Sequence, residues 1–530
     1  MMQRKRLQNF MPVIFAVIFL LGLAMGYGLN SRIGGGSFWG GSKNSSLQEI
    51  SNLVKSKYVD EVGIDSINAF AVEEMLSHLD PHSVYIPPSE LSRVNDQMDG
   101  HFTGVGILYD MIDDTLNIMR LIKDGPAEKA GITIGDKLIK INDSVNVVGK
   151  KINDESLRKN IKGVDGSIVK FTLLRDGKEK KVEVKRAQIP IPSIDASYVI
   201  DNKTGYIRIN KFAERTYEEF MQSLEGLQKQ KIENLILDLR GNGGGYMHAA
   251  TAIADEFLDG DKLIVYTQGN KSEKNEFRCR KEGLFEKGKL IVLIDETSAS
   301  ASEVLAGALQ DWDRATIVGR RSFGKGLVQQ QFNLSDGGAL RLTVARYYTP
   351  LGRNIQKPYN QGKKKYMQEL EERFHSNGKS KEDSSKQNGA AFKTPSGHIV
   401  YGGGGITPDY NIEFDTTMLN SVYGKLYYKD VFERFAYKYY TTNKSLIGNY
   451  KTAADIKNKF ELKDTDWKLL QTIAAKDSID ISNLNAVVKK EIIDKTKAVA
   501  ARQILSNSAY FEVNNINDTI VKKALEIIKK

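Results

Sequence analysis

The segment Glu296-Thr-Ser298-Ala-Ser300-Ala-Ser302-Glu303 lies between the aliphatic stretch Leu-Ile-Val-Leu-Ile-Asp (290–295) and the apolar run that begins at Val304. A serine in this place could act as a nucleophile. A tight strand-to-helix turn exposes its hydroxyl, and a helix N-terminus faces the negative charge that develops when a carbonyl is attacked. The small neighbours Ala299 and Ala301 let a substrate backbone approach. Ser300-x-x-Glu303 ahead of an apolar run is equally the spacing of a capping box, so this segment alone does not separate chemistry from helix capping.

A second candidate follows the strand-like Ala-Thr-Ile-Val-Gly: Gly319-Arg-Arg-Ser-Phe-Gly324-Lys325-Gly326. It nearly matches a phosphate-binding loop. However, Gly326 stands where a Ser or Thr should ligate magnesium, and 327–332 reads as a strand where a helix should cradle phosphate. The other reading is a lysine brought close to another backbone element by flanking glycines. Desolvation there would lower its pKa towards neutrality, so that it could accept a serine proton. A third candidate is Asp238-Leu-Arg240-Gly-Asn-Gly243-Gly244-Gly245, whose glycines offer N–H groups to an oxyanion, or form a plain turn. His248 follows that run and is the alternative base, with no acid partner evident in sequence.

The elements around these motifs change character along the chain. Ser46 with Glu49 forms a capping box, Leu47, Ile50, Leu53 and Val54 share one face, and further helices are expected from Asp65 to Leu79 and from Glu90 to Met98. From Phe102 short β-type runs prevail, with Arg175-Asp176-Gly177-Lys178 as a hairpin turn. After Pro190 and Pro192 strands alternate with helices, including one from Tyr246 to Phe257 and one from Ser302 to Trp312; this alternation predicts an α/β core. The polar stretch 362–390 reads as a flexible insertion, and from about Asn420 the chain reads as helical and Lys-rich. The predicted domains are an N-terminal segment 1–31, a helical region 45–100, a β-rich module 101–188, an α/β core 190–415 and a helical region 420–530.

Composition narrows the function. The chain has 530 residues, too many for one core. Its excess of 76 Lys and Arg over 66 Asp and Glu is spread among acids rather than gathered in a stripe, which argues against a nucleic-acid partner. The single cysteine, Cys279, excludes an intramolecular disulfide; scattered histidines and no His-Glu-x-x-His give no metal site, and no cofactor is expected. Arg4, Lys5 and Arg6 precede an uncharged run from Leu7 to Ser31. This predicts an uncleaved single-pass anchor in the inner membrane, with the remainder on the periplasmic, extracytoplasmic side; a cleaved signal peptide is the competing reading.

Taken in order, the motifs resemble the C-terminal processing peptidases, or tail-specific proteases. The resemblance runs from about Leu79 to Tyr410 through Leu79-Asp-Pro-His-Ser-Val-Tyr85, the run Gln97 to Ile107, Asp238-Leu-Arg240, the Ser298–Glu303 segment, Phe323 to Gln329, Leu342 to Pro350, and Gly405-Ile-Thr-Pro-Asp409. It implies a crotonase/Clp-protease-like core of mixed sheet and helices plus a PDZ domain at 101–188. Ser300 would be the nucleophile, Lys325 its base and Gln329 the residue orienting the lysine. The N–H groups of Ala301 and Gly245, with Gly244 as alternate, would form the oxyanion hole. Gly104-Val105-Gly106-Ile107 would capture the carboxylate of unfolded or tagged protein C-termini. The Gly241–Gly245 turn departs from the proline-containing form of the family. Also left open are a homo-oligomer or activating adaptor as partner, and a catalytically silent PDZ scaffold at the membrane.

Overall fold

The uninterrupted aliphatic runs Leu235-Ile236-Leu237, Leu290–Ile294 and Ile317-Val318 have the pattern of strands covered on both faces. In the structure, a computed structural model describing residues 46–149, 154–375, 389–413 and 421–530, they form the middle of a six-stranded sheet. Its order is Ile194–Val199, Thr204–Ile209, Asn234–Asp238, Lys289–Ile294, Thr316–Gly319, Tyr410–Asn411. The first pair is antiparallel and the others are parallel. Ile207, Leu235, Leu237, Val292 and Ile317 face the helices Thr216–Gln228, Met247–Ala254 and Ala301–Asp311. The alternate residues Tyr206, Ile236, Ile291, Leu293 and Val318 pack against Ile520, Val521, Ala524 and Ile528 of the helix Thr519–Lys529. Every residue of Ala301–Asp311 is buried, which explains a sequence apolar nearly all round.

A second, antiparallel sheet supplies the other wall of the core. Its long strand Ala339–Tyr348 pairs with Val84–Ile86, with Leu263–Gln268 and with Leu327–Asn333. The last pairing slips by one residue between Val328 and Gln329, a bulge that re-aims the following side chain.

The β-rich module has an antiparallel sheet in the order Ile107–Ile112, Thr115–Leu121, Lys137–Ile141, Ile168–Arg175, Lys178–Lys185, with the short Val145–Asn146 also paired to Lys137–Ile141, and its own core around Ile118, Leu138, Phe171 and Val184. Asp176 and Gly177 both have positive φ, 49° and 77°, as the expected hairpin turn requires. The strand pair His101–Gly104 and Ala187–Pro190 forms its stem. Ser421, Thr452, Asn485, Ser506 and Asp518 each cap a helix of the C-terminal region with their side chains. That region has a core of Phe432, Phe435, Phe460, Leu470 and Val499. It touches the module where the Tyr437 hydroxyl donates to Asn117 Oδ1 at 3.0 Å and Gln503 Nε2 donates to the Met119 carbonyl at 2.8 Å.

The chain divides into two units, 1–75 and 76–530. In the first, the helix Ser46–Lys57 and most of Ile64–Ser77 are linked by Ser51 Oγ donating to Asn68 Oδ1 at 2.9 Å. The apolar run expected to anchor the chain lies outside the described residues. No helix among the described residues is long and apolar enough to cross a membrane, which overturns the expected single-pass inner-membrane placement. The longest of them, Ala486–Ile504, carries Lys489, Lys490, Glu491, Asp494 and Lys495, charges a hydrocarbon layer would not accept. The insertion differs from expectation in its first half, where Lys363–His375 is a helix. Its buried side is made by Tyr366 and Arg373 rather than by aliphatics, so low aliphatic content gave no warning of it.

Candidate active site

The turn after Lys289–Ile294 carries three serines, and packing separates them. Ser298 is fully buried, and its hydroxyl donates to the Leu239 carbonyl and accepts from the Asp295 N–H, both at 2.9 Å. Ser302 is also fully buried and donates to the Asn242 carbonyl at 2.9 Å. Ser300 remains half-buried at the N-cap of Ala301–Asp311, and its hydroxyl does not cap the helix. Its backbone is strained, with φ 55° and ψ −114°, a conformation that costs a β-carbon-bearing residue about 1–3 kcal/mol and recurs at functional sites.

Glu303 holds that strain in place. One carboxylate oxygen accepts from the Ser300 N–H at 2.8 Å and the Lys325 N–H at 2.9 Å. The other accepts from Ser322 Oγ at 2.5 Å and the Gly324 N–H at 2.7 Å. The residue is 1% exposed, and burial raises its pKa against the pull of those four donors. The sequence showed only half of this role. The capping-box spacing revealed the bond to Ser300, whereas the bonds to the lysine turn cross 19 to 22 residues and carry no local signal. Tyr347 adds a second tie: its hydroxyl donates to the Lys325 carbonyl at 2.6 Å and lies 3.2 Å from the Ser300 carbonyl.

Lys325 precedes the strand Leu327–Asn333, and its Nζ donates to Gln329 Oε1 at 2.9 Å. The bulge at Val328/Gln329 lies beside this contact. Gln329 is oriented in turn, because its Nε2 donates to the His82 carbonyl at 2.6 Å. His82 belongs to a turn in which Asp80 accepts from the N–H groups of His82 and Ser83 and from the Ser83 hydroxyl. Its ring contacts Tyr366 with 2.8 Å between Nε2 and the hydroxyl, and burial lowers its pKa to about 4. Burial pushes the Lys325 amine down to about 8, and the Arg341 cation adds to the effect; Glu303 and Asp80 oppose it without cancelling it. An amine in that range can both take and return a proton near neutral pH.

The glycine run closes on Ser300 from the other side. Gly244 has φ 97°, and a Cβ there would stand 2.8 Å from Ser300 Cβ and 2.7 Å from the Ala299 carbonyl oxygen, so only glycine fits. Asn242 stitches the two turns together. Its carbonyl accepts from the Ala299 N–H at 3.0 Å and its Oδ1 from the Gly244 N–H at 2.9 Å. Gly244 has therefore committed its donor. Gly245, with φ 144°, and Ala301 donate to no group among the described residues.

His248 is exposed and stacked on Tyr246, 3.6 Å from Glu214, a carboxylate the sequence did not disclose. In the module, the carbonyls of Val105 and Gly106 accept from the N–H groups of Ala127 and Ile122, both at 2.9 Å. Their own N–H groups donate to nothing among the described residues. Ile107 begins the strand Ile107–Ile112, the edge strand of its sheet.

Comparison with known proteins adds an independent line. Residues 203–362 match the model of peptidase family S41, residues 104–185 that of the PDZ domain, and residues 422–506 a family of unknown function. A carboxy-terminal-processing protease of Bartonella bacilliformis is 34% identical over 369 residues, which is 66% of this chain and 83% of that protein. The carboxy-terminal processing protease CtpB of Bacillus subtilis is 36% identical over 319 residues, 59% of this chain and 65% of that protein. Among solved structures, a photosystem II D1 C-terminal processing protease is 29% identical, covering 59% of this chain and 83% of that one with a TM-score of 0.35.

Proposed function

Since this chain belongs to peptidase family S41 and is a C-terminal processing serine protease with a PDZ domain, we propose that it cleaves peptide bonds through a Ser300–Lys325 dyad. The observation that carries this reading is the commitment of the neighbouring hydroxyls. Ser298 and Ser302 spend theirs on buried carbonyls, and the one serine left is tied through Glu303 to the turn of a lysine held near neutrality.

In this reading neutral Lys325 Nζ takes the Ser300 Oγ proton as the oxygen bonds to the scissile carbonyl carbon. The N–H groups of Gly245 and Ala301 receive the oxyanion. When the C–N bond breaks, Lys325 returns the proton to the leaving amine, leaving an acyl-enzyme on Ser300. A water molecule then gives a proton to Lys325 as it attacks the ester carbonyl; the C–Oγ bond breaks, Lys325 hands that proton to Ser300 Oγ, and the carboxylic acid product leaves. Gln329 keeps the amine aimed, because its own amide is pinned by the His82 carbonyl.

The substrates in this reading are unfolded protein tails with apolar last residues. The tail adds as a strand to the free edge of Ile107–Ile112, and its terminal carboxylate meets the loop Gly104–Ile107 through the N–H groups of Val105 and Gly106. The test is cleavage of an unfolded reporter bearing an apolar tail, with either a free or an amidated C-terminus. Amidation is expected to lower kcat/KM by about tenfold, the low end of the worth of one charge-assisted hydrogen bond. Equal cleavage of both would remove carboxylate recognition from the proposal.

The lysine also sets a pH dependence. As a base it must be unprotonated, so kcat/KM rises with pH through about 8 and then levels. It falls about tenfold for each unit below that value. A profile that is flat between pH 6 and 9 would exclude Lys325 as the base.

A further inference from the structure

The C-terminal helix Thr519–Lys529 does more than cover one face of the central sheet. Its N-cap, Asp518, accepts from the N–H groups of Ile520 and Val521 through Oδ1, at 2.9 and 3.0 Å. Its other oxygen, Oδ2, accepts from Arg240 Nη1 at 2.9 Å. Arg240 is the last side chain before the glycine run. Its Nε and Nη2 donate to Asp238 at 2.9 and 2.6 Å, and Asp238, fully buried, also receives the Tyr206 hydroxyl at 2.6 Å and forms an ion pair with Arg208 at 2.9 Å. Arg208 Nη2 donates to the Arg240 carbonyl at 2.6 Å, immediately ahead of Gly241. Beyond it Asp295 holds the Gly241 N–H, Asn242 bonds to the Ile209 carbonyl and the Gly244 N–H, and Phe212 bonds to the Gly244 carbonyl and the Tyr246 N–H, on either side of Gly245. Far along the same helix, the Ile528 carbonyl accepts from Lys289 Nζ at 2.8 Å, at the start of the strand that leads to Ser300.

We infer that Asp518 is a positioning residue of the active site: by neutralising and fixing Arg240 it sets the glycine run that presents the Gly245 N–H. The inference rests on the oxyanion role proposed above. Two guanidinium groups, Arg208 and Arg240, meet at one buried carboxylate, Asp238. Arg208 also has Asp195 at 3.6 Å, so without the charge of Asp518 it is Arg240 that is left with a single carboxylate, shared with Arg208, in a place water screens little. Its displacement moves the backbone where this turn begins, at the Arg240 carbonyl that Arg208 holds. The C-terminal region is thereby part of the catalytic assembly.

The substitution Asp518→Asn isolates this role, since asparagine caps a helix about as well as aspartate and removes the charge and the acceptor oxygen that face Arg240. In the full-length chain, with the tail reporter, kcat is expected to fall about ten- to a hundredfold, as for small misplacements of reacting groups, while KM stays within about twofold. Asp518→Glu should recover part of kcat, and Glu526→Gln, on the exposed side of the same helix, should match wild type. Wild-type kcat in Asp518→Asn would overturn the inference. So would a loss that is shared by Asp518→Glu, follows the melting midpoint and disappears on cooling. Ser300→Ala run in parallel separates the two readings: activity that survives Ser300→Ala refutes the dyad, whereas Ser300-dependent activity untouched by Asp518→Asn refutes only the positioning role.

Discussion

Ser300→Ala and Lys325→Ala are each expected to lower cleavage of an unfolded tail reporter by about 10⁴-fold or more, the scale on which nucleophile and base act as a unit. His248→Ala is expected to stay within about twofold of wild type. The contrast follows from placement. Lys325 is shielded, with its amine aimed by Gln329 and its carbonyl held by Tyr347. His248 lies on the surface, stacked on Tyr246 beside Glu214. Removing Lys325 leaves the Ser300 hydroxyl at its ordinary acidity, with no group to take its proton. An active Lys325→Ala together with a dead His248→Ala would keep the family and discard the dyad.

The second large effect is at Glu303. Glu303→Gln changes no volume, yet it replaces one acceptor oxygen by an NH2 group facing two of the four donors from Ser300, Ser322, Gly324 and Lys325. A buried donor left facing another donor costs about 1–3 kcal/mol, so two such clashes predict roughly 3–5 kcal/mol of lost stability. Activity should fall as well, because the same oxygens hold the strained φ of Ser300 and the turn of Lys325. Thermal melting together with kcat measured well below the melting midpoint checks both parts. A variant with a wild-type midpoint and wild-type kcat would show that Glu303 only caps its helix.

These two predictions draw on the sequence unequally. The alternation of aliphatic strands with helices made the α/β core legible, because doubly covered parallel strands need uninterrupted hydrophobic runs. The helix expected from Ser302 to Trp312 is observed as Ala301–Asp311, and its start was marked by the Ser300–Glu303 spacing. The Asp176-Gly177 turn was legible for a similarly local reason: both positions require positive φ. The helix Lys363–His375 was not legible, because its buried side is an aromatic and charged one. Tyr366 meets His82 and Lys357, and Arg373 meets Glu369.

Local spacing thus determined the sites of the turns, the residue types within them and the order of the elements, since capping, glycine conformation and strand periodicity are decided within a few residues. Tertiary structure alone decided which hydroxyl of Ser298, Ser300 and Ser302 stays uncommitted, because the carbonyls that occupy the other two come from 239 and 242. It also decided that one carboxylate, Glu303, joins two turns, that the amide of Gln329 is pinned by the carbonyl of His82, 247 residues away, and that Asp518 reaches Arg240. Each of these contacts pairs a buried donor with an acceptor distant in sequence, and hydrogen-bond satisfaction in a closed interior is a property of the whole packed chain.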